Sequence, residues 1–137
     1  MNDHPTVAFL CVHNAGRSQM AAGWMRHLAG ERITVLSGGS APADEVNPAA
    51  VEAMREVGID ITGRSPRRWD VETLQAADVV VTMGCGDECP VVPGTRYLDW
   101  ELEDPAGQPV EDVRPVRDEI ERRVRGLMAE LGVEPVR

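Results

Sequence analysis

The sequence contains no lysine. Its 14 basic residues are all arginine and stand against 23 acidic ones, for a formal net charge of −9. It has no basic run and no interleaving of basic with aromatic residues, which argues against nucleic acid or an anionic membrane surface as partner. Bulk charge leaves room for a local positive site that takes a small anion. Apolar runs are short as well, and none approaches the roughly 18 residues of a membrane span. The opening stretch, MNDHPTVAFLCV, has an apolar run of about seven residues and no basic region before it, so a first strand is expected there and not a signal peptide. Cysteines number three, an odd count and too few for a disulfide scaffold. With no export signal a cytoplasmic location is expected, where thiols are structural, metal-binding or catalytic. There is no repeat, low-complexity tract or linker. The 137 residues, 42% of them apolar, amount to one ordinary globular domain over 1–137.

The pattern that is present alternates strand with helix. Thr6 to Val12 is a short apolar run closed by a turn. From Arg17 to Ala29, Met20, Trp24 and Leu28 recur at helical spacing, and Gly30 supplies the stop. Ile33 to Ser37 reads as a second strand closed by Gly38-Gly39. Asn47-Pro48 is a cap and first-turn pair for a helix through Val57, ended by Gly58. Asp70 to Ala76 reads as a shorter helix, and Asp78 to Thr82 as a β-branched strand buried on both faces. Thr95 to Trp100 suggests a last strand. Val113, Val116, Ile120, Val124, Leu127 and Leu131 then form one apolar stripe, with Asp112 as cap, Pro115 in the first turn and Gly132 at the end. Strands separated by helices imply right-handed crossovers and a parallel sheet covered on both faces. Ligands bind such sheets beyond the carboxyl ends of the strands.

The turn after the first strand is Cys11-Val12-His13-Asn14-Ala15-Gly16-Arg17-Ser18, followed at once by a helix. Converging backbone N–H groups of such a loop and of a helix N-terminus favour an anion. Arg17 adds a planar fork for two oxygens of a tetrahedral oxyanion. The same positive field favours the thiolate of Cys11 as a nucleophile. Ser18 can donate to that sulfur, Gly16 permits tight backbone, and Asn14 can brace the loop through its amide. A lone C-x5-R recurs by chance, and a cysteine at a strand end is ordinarily core. Its place between a first strand and a helix makes the chemical reading specific. His13 can equally point outward and is assigned no catalytic role.

Two further segments fall at the same sheet edge. Asp104-Pro105 follows the last strand, where a carboxyl group could protonate a departing oxygen, although Asp-Pro is also a common turn. Cys85-Gly86-Asp87-Glu88-Cys89-Pro90 follows the Val-rich strand. Two thiols at that spacing can close a small disulfide, hold part of a metal site or be merely structural. No second cysteine pair or suitably spaced histidines complete four zinc ligands, since His4, His13 and His27 are scattered.

These residues together resemble the arsenate reductases related to low-molecular-weight protein tyrosine phosphatases. The likeness covers nearly the whole chain: the oxyanion loop, Val79 to Thr82, Cys89-Pro90, Asp104-Pro105-Ala106-Gly107, and Val116-Arg117-Asp118-Glu119-Ile120. Ser18-Gln19-Met20-Ala21 is similar to the reductases, whereas the phosphatases usually carry proline where Gln19 stands. They also follow Asp-Pro with tyrosines, where this chain has Ala106-Gly107. The resemblance implies a four-stranded parallel sheet of flavodoxin-type order 2-1-3-4. It implies arsenate as substrate, with phosphate or sulfate as mimics, Cys11 as nucleophile with Arg17, Ser18 and Asp104, and no cofactor. The set Cys11, Cys85, Cys89 is similar to a branch that runs a three-cysteine relay and is regenerated by thioredoxin. Another branch uses the nucleophile alone with mycothiol, and phosphatase activity is the alternative in a different reaction class. Two departures stand out. Cys85 and Cys89 are closer together than in the best-known thioredoxin-coupled members. Ala22 and Arg67 stand where the potassium site of some members needs carboxylates, so no metal is expected.

Overall fold

The computed structural model describes residues 4–63, 65–83, 95–103 and 107–136. Among the described residues are four strands, β1 (Thr6–Cys11), β2 (Thr34–Gly39), β3 (Val79–Thr82) and β4 (Arg96–Asp99), and four helices, α1 (Arg17–Ala29), α2 (Pro48–Arg55), α3 (Val71–Ala76) and α4 (Val110–Glu130). A short 3-10 turn, Gly30–Arg32, joins α1 to β2. The strands form one parallel sheet in the order β2-β1-β3-β4, as the resemblance implied.

Side-chain alternation explains the two layers. Val7, Phe9, Cys11, Val79 and Val81 point to one face and pack in the main core with α1, α2 and α4. Ala8, Leu10 and Val80 point to the other, where they meet Leu74 and Ala77 with Leu36, Trp69 and Tyr97 alongside. Phe9, Met20, Met25, Leu28, Met54, Ile120 and Met128 are fully buried. Each such side chain contributes about 1.5–3 kcal/mol of transfer free energy.

The helix at 17–29 has the expected bounds, and Gly30 at its C-cap takes φ +60°. Asn47 caps α2 by accepting from the N–H groups of Ala49 (2.8 Å) and Ala50 (3.4 Å). Most other boundaries move by a residue or two, α2 ending at Arg55 and not Val57, and two differ in kind. β2 does not close before Gly38-Gly39 but runs through them, because Gly39 is the register partner of Cys11. α4 begins at Val110 with Pro109 at its N-cap, so Asp112 is not the cap and Pro115 lies inside the helix. The first turn is already closed when Asp112 N–H reaches the Pro109 carbonyl at 3.0 Å. Pro115 then forfeits one ladder bond, and burial of Val113 and Val116 on either side offsets the loss. The stripe itself is as expected except that Leu131 is half-buried and Met128 and Arg117 join it. Arg117 is tolerated there because it donates to the Ala53 carbonyl and pairs with Glu56 and Asp118. No described helix is long and apolar enough to cross a membrane.

Candidate active site

At the carboxyl end of β1, Cys11 is 3% exposed, with Asn14, Ser18, Gln19 and Arg17 buried around it. Ser18 Oγ lies 2.9 Å from Cys11 Sγ, and Asn14 Nδ2 donates to Ser18 Oγ at 2.7 Å. Asn14 donates there, so the Ser18 hydroxyl accepts on one side, and against a Cys11 thiolate, which can only accept, its proton goes to the sulfur. The three side chains therefore form a directed chain that ends as a hydrogen bond to Cys11.

The loop between them is held from outside. The carbonyls of Val12, His13 and Ala15 accept from the N–H groups of Ala41 (2.8 Å), Ala43 (3.0 Å) and Asn47 (2.8 Å). In a trans peptide the N–H and C=O point in opposite directions. The N–H groups of His13, Asn14 and Gly16, which share those three peptide units, therefore turn away from the supporting segment 41–47. α1 adds to the same field, because Gly16 at its N-cap supplies no side-chain cap and its first turn carries no acidic residue. An uncapped helix end beside a ring of turned amides suits a tetrahedral anion. Arg17 is 8% exposed and its NH1 donates to the Leu102 carbonyl at 3.2 Å, tying the loop to the segment that follows β4.

Cys11, Val12, His13, Asn14, Ala15, Gly16, Arg17 and Ser18 are thus brought together at one strand end. His13 is exposed and lines a cavity of about 560 Å³ on the side of the supporting segment, with Ala15, Ala43, Asn47 and Gly107. Cys85, Cys89 and Asp104 lie outside the described residues. What precedes them is in place. Met83 donates its N–H to the Leu10 carbonyl at 2.8 Å, one residue from Cys11, and Trp100 donates to the Thr82 carbonyl at 2.9 Å. Among the described residues no three His, Cys, Asp or Glu side chains converge as metal ligands would.

Three supports were not read from the sequence. Gly39 approaches the loop so closely that a Cβ there would stand 2.5 Å from the Val12 carbonyl oxygen and 2.9 Å from that of Cys11. The Arg67 N–H donates to Asn14 Oδ1 at 3.0 Å, and Gln19 Nε2 donates to the Asn14 carbonyl at 3.0 Å. A Gly-Gly pair at a strand end was the available signal for the first. The Arg67 amide is 53 residues away and leaves no pattern in the sequence, and the resemblance marked Gln19 without showing that it reaches Asn14.

The fold and loop define the class: a parallel α/β protein with a cysteine sulfur at the base of an oxyanion-shaped loop. The family model for low molecular weight phosphotyrosine protein phosphatase matches residues 6–136, and the chain belongs to that family. Among curated relatives, a putative arsenate reductase of Halobacterium salinarum is 41% identical over 127 residues, 89% of each chain. Arsenate reductase 2 of Staphylococcus haemolyticus is 42% identical over 129 residues, covering 91% of this chain and 97% of the relative. Among solved structures, a thioredoxin-dependent arsenate reductase of Corynebacterium glutamicum superposes with TM-score 0.82 at 42% identity over 94% of this chain. The present chain spans 62% of that longer one. A low molecular weight protein tyrosine phosphatase from T. tengcongensis superposes with TM-score 0.81 at 24% identity, and that likeness shows the fold alone.

Proposed function

We propose that the protein reduces arsenate to arsenite, with Cys11 as nucleophile, and that it works in the cytoplasm as part of arsenic detoxification. The observation that carries the chemistry is the directed chain Asn14–Ser18–Cys11 at the base of the loop, 2.7 Å and 2.9 Å long in its two links. The names of relatives at 41–42% identity favour arsenate over a phosphate ester as substrate.

Arsenate binds against the loop amides and the Arg17 fork. The Cys11 thiolate attacks arsenic and forms a sulfur–arsenic bond, while Asp104 gives its proton to the departing hydroxide, which leaves as water. Cys85 then attacks the Cys11 sulfur. A disulfide forms, the sulfur–arsenic bond breaks, and its electron pair stays on arsenic, which departs as arsenite. Cys89 attacks Cys85 and releases the Cys11 thiolate. The Cys85–Cys89 disulfide is reduced by thioredoxin through ordinary exchange. Two features support this route. The strand leading to Cys85 ends beside Cys11, with Met83 bonded to Leu10. The segment leading to Asp104 is tied to Arg17 at Leu102.

The readings that compete are a phosphatase that hydrolyses a Cys11 phospho-intermediate, and a reductase that uses Cys11 alone with mycothiol. A thiol count decides among them. With arsenate and no reductant, the relay loses two thiols per arsenite formed, whereas a phosphatase loses none. Turnover with mycothiol undiminished in a Cys85→Ser, Cys89→Ser double variant would refute the relay.

A further inference from the structure

We propose that Gln19 is a positioning residue that sets the direction of the hydrogen-bond chain reaching Cys11. Its side chain is 1% exposed, and Nε2 approaches two acceptors of one residue, the Asn14 carbonyl at 3.0 Å and Asn14 Oδ1 at 3.3 Å. Asn14 is the only described non-glycine residue with positive φ, at 50°. Asparagine tolerates that backbone region better than most residues, and the bonds to its carbonyl and amide help to hold it there.

The direction of the chain depends on which end of the Asn14 amide faces Ser18. Gln19 and the Arg67 N–H (3.0 Å) both donate to Oδ1, which leaves Nδ2 for Ser18 Oγ at 2.7 Å. Ser18 then accepts from Asn14, and a Cys11 thiolate at 2.9 Å takes its proton as a hydrogen bond. A flipped amide reverses every link: Oδ1 would take the Ser18 proton, and the Cys11 thiolate would lose its donor. The flip also points Nδ2 at the donors of Gln19 and Arg67, donor against donor, and that mismatch is what forbids it. Gln19 thus acts on the nucleophile from two hydrogen bonds away, without touching the oxyanion. The alternative is a buried amide that merely satisfies itself on the nearest carbonyl. It accounts for the 3.0 Å contact, but it predicts nothing about Cys11.

The inference assumes the nucleophilic role proposed for Cys11, and its test does not depend on arsenate being the substrate. In the full-length chain, the rate of Cys11 carbamidomethylation by iodoacetamide at pH 7 is followed by peptide mass, which separates Cys11 from Cys85 and Cys89. Gln19→Met keeps length and volume but has no donor. The variant keeps the Arg67 bond to Oδ1 but loses both bonds from Gln19, and it should slow Cys11 alkylation by about three- to tenfold, the upper figure being what one whole hydrogen bond to a charged group supplies. Gln19→Glu faces both Asn14 acceptors with a carboxylate and should slow it at least as much. In arsenate turnover both variants should lose kcat while KM changes by less than threefold. The discriminating arm is the Asn14→Gly background, which has no amide left to orient. There Gln19→Met should add less than a twofold further loss. Alkylation of either folded variant within twofold of wild type would overturn the proposal. So would an undiminished loss in the Asn14→Gly background. Absence of arsenate turnover in the wild type would refute the reductase reading and leave the alkylation arm intact.

Discussion

Replacing Gly39 with alanine should move the oxyanion loop itself. Gly39 is locked on both sides: it pairs in register with Cys11, its N–H donates to the Arg67 carbonyl at 2.9 Å, and its own carbonyl accepts from Trp69 at 3.2 Å. An added Cβ would meet the Val12 oxygen at 2.5 Å, the Cys11 oxygen at 2.9 Å and the Asn14 nitrogen at 3.0 Å. All three are backbone atoms, so no side-chain rotation relieves the clash. Ordinary contact begins at 3.4 Å, so the loop must retreat by roughly 0.9 Å from the strand that supports it. Insertion of a methyl group against fixed structure costs about 1–3 kcal/mol. In a chain of this length that lowers Tm by roughly 4–12 °C.

The rate should suffer more than the stability. A displacement of about 1 Å in a group that orients substrate costs on the order of 10²-fold. Initial rates of arsenate reduction with thioredoxin and its reductase, alongside calorimetry, measure both effects. Gly126→Ala is the control. That glycine is exposed on α4 and a methyl group added there would meet nothing within 4 Å, so alanine should stabilise by about 0.5–1 kcal/mol and leave the rate alone. A Gly39→Ala protein that turns over within twofold of wild type would refute the claim that Gly39 sets the loop's position.

Cys11→Ser should abolish turnover, because the loop cannot make a comparable nucleophile of a hydroxyl; residual reduction within tenfold of wild type would rule Cys11 out. Asp104→Asn should slow formation of the first adduct by roughly 10²- to 10⁴-fold in single-turnover experiments with little change in arsenate binding. Asn47→Ala removes the α2 cap but keeps the backbone N–H that supports Ala15, so calorimetry should show a loss of about 1 kcal/mol with kcat almost unchanged. The hydrogen bond from Arg114, then that from Arg117, holds the Glu56 carboxyl down at about 2, against 4.5 for the free group. The stabilisation it brings is complete above pH 4.5 and fades as the pH falls toward 2. The Tm difference between wild type and Glu56→Gln should therefore be constant from pH 8 to 5 and shrink below that, and a difference that grows in acid would contradict the pairing.

The elements that the sequence disclosed are those whose signals are local. The spacing of Met20, Trp24 and Leu28 marked α1, the Asn47-Pro48 pair marked the start of α2, and the run Val79-Val80-Val81 marked a strand buried on both faces. The start of α4 was misread because Asp112 and Pro115 are good local signals, and they lost to burial of Val113 and Val116 in the same turn. β2 was cut short because glycine pairs usually end strands. Here the pair belongs to the strand, and only the distant partner Cys11 explains it. The site divides in the same way. The residues of the loop are contiguous and carry their own chemistry, so C-x5-R-S between a strand and a helix was legible. Its supports come from 39, 41–47 and 67, and their effect is written in backbone atoms that any sequence provides.

The order β2-β1-β3-β4 gives the two sides of Cys11 different work. On the β2 side everything is fixed: Gly39 against the loop, three carbonyls held by segment 41–47, and the Arg67 N–H on Asn14. These supports act through backbone atoms. On the other side β3 and β4 lead toward Cys85 and Asp104, the groups that the proposed reaction needs to move electrons and a proton. A nucleophile that must meet arsenate first and a second thiol afterwards benefits from this split. In the proposed reaction one flank would hold the oxyanion geometry constant while the other supplied the reagents in sequence. A parallel sheet provides it directly, because the carboxyl end of an inner strand is flanked by the carboxyl ends of both its neighbours.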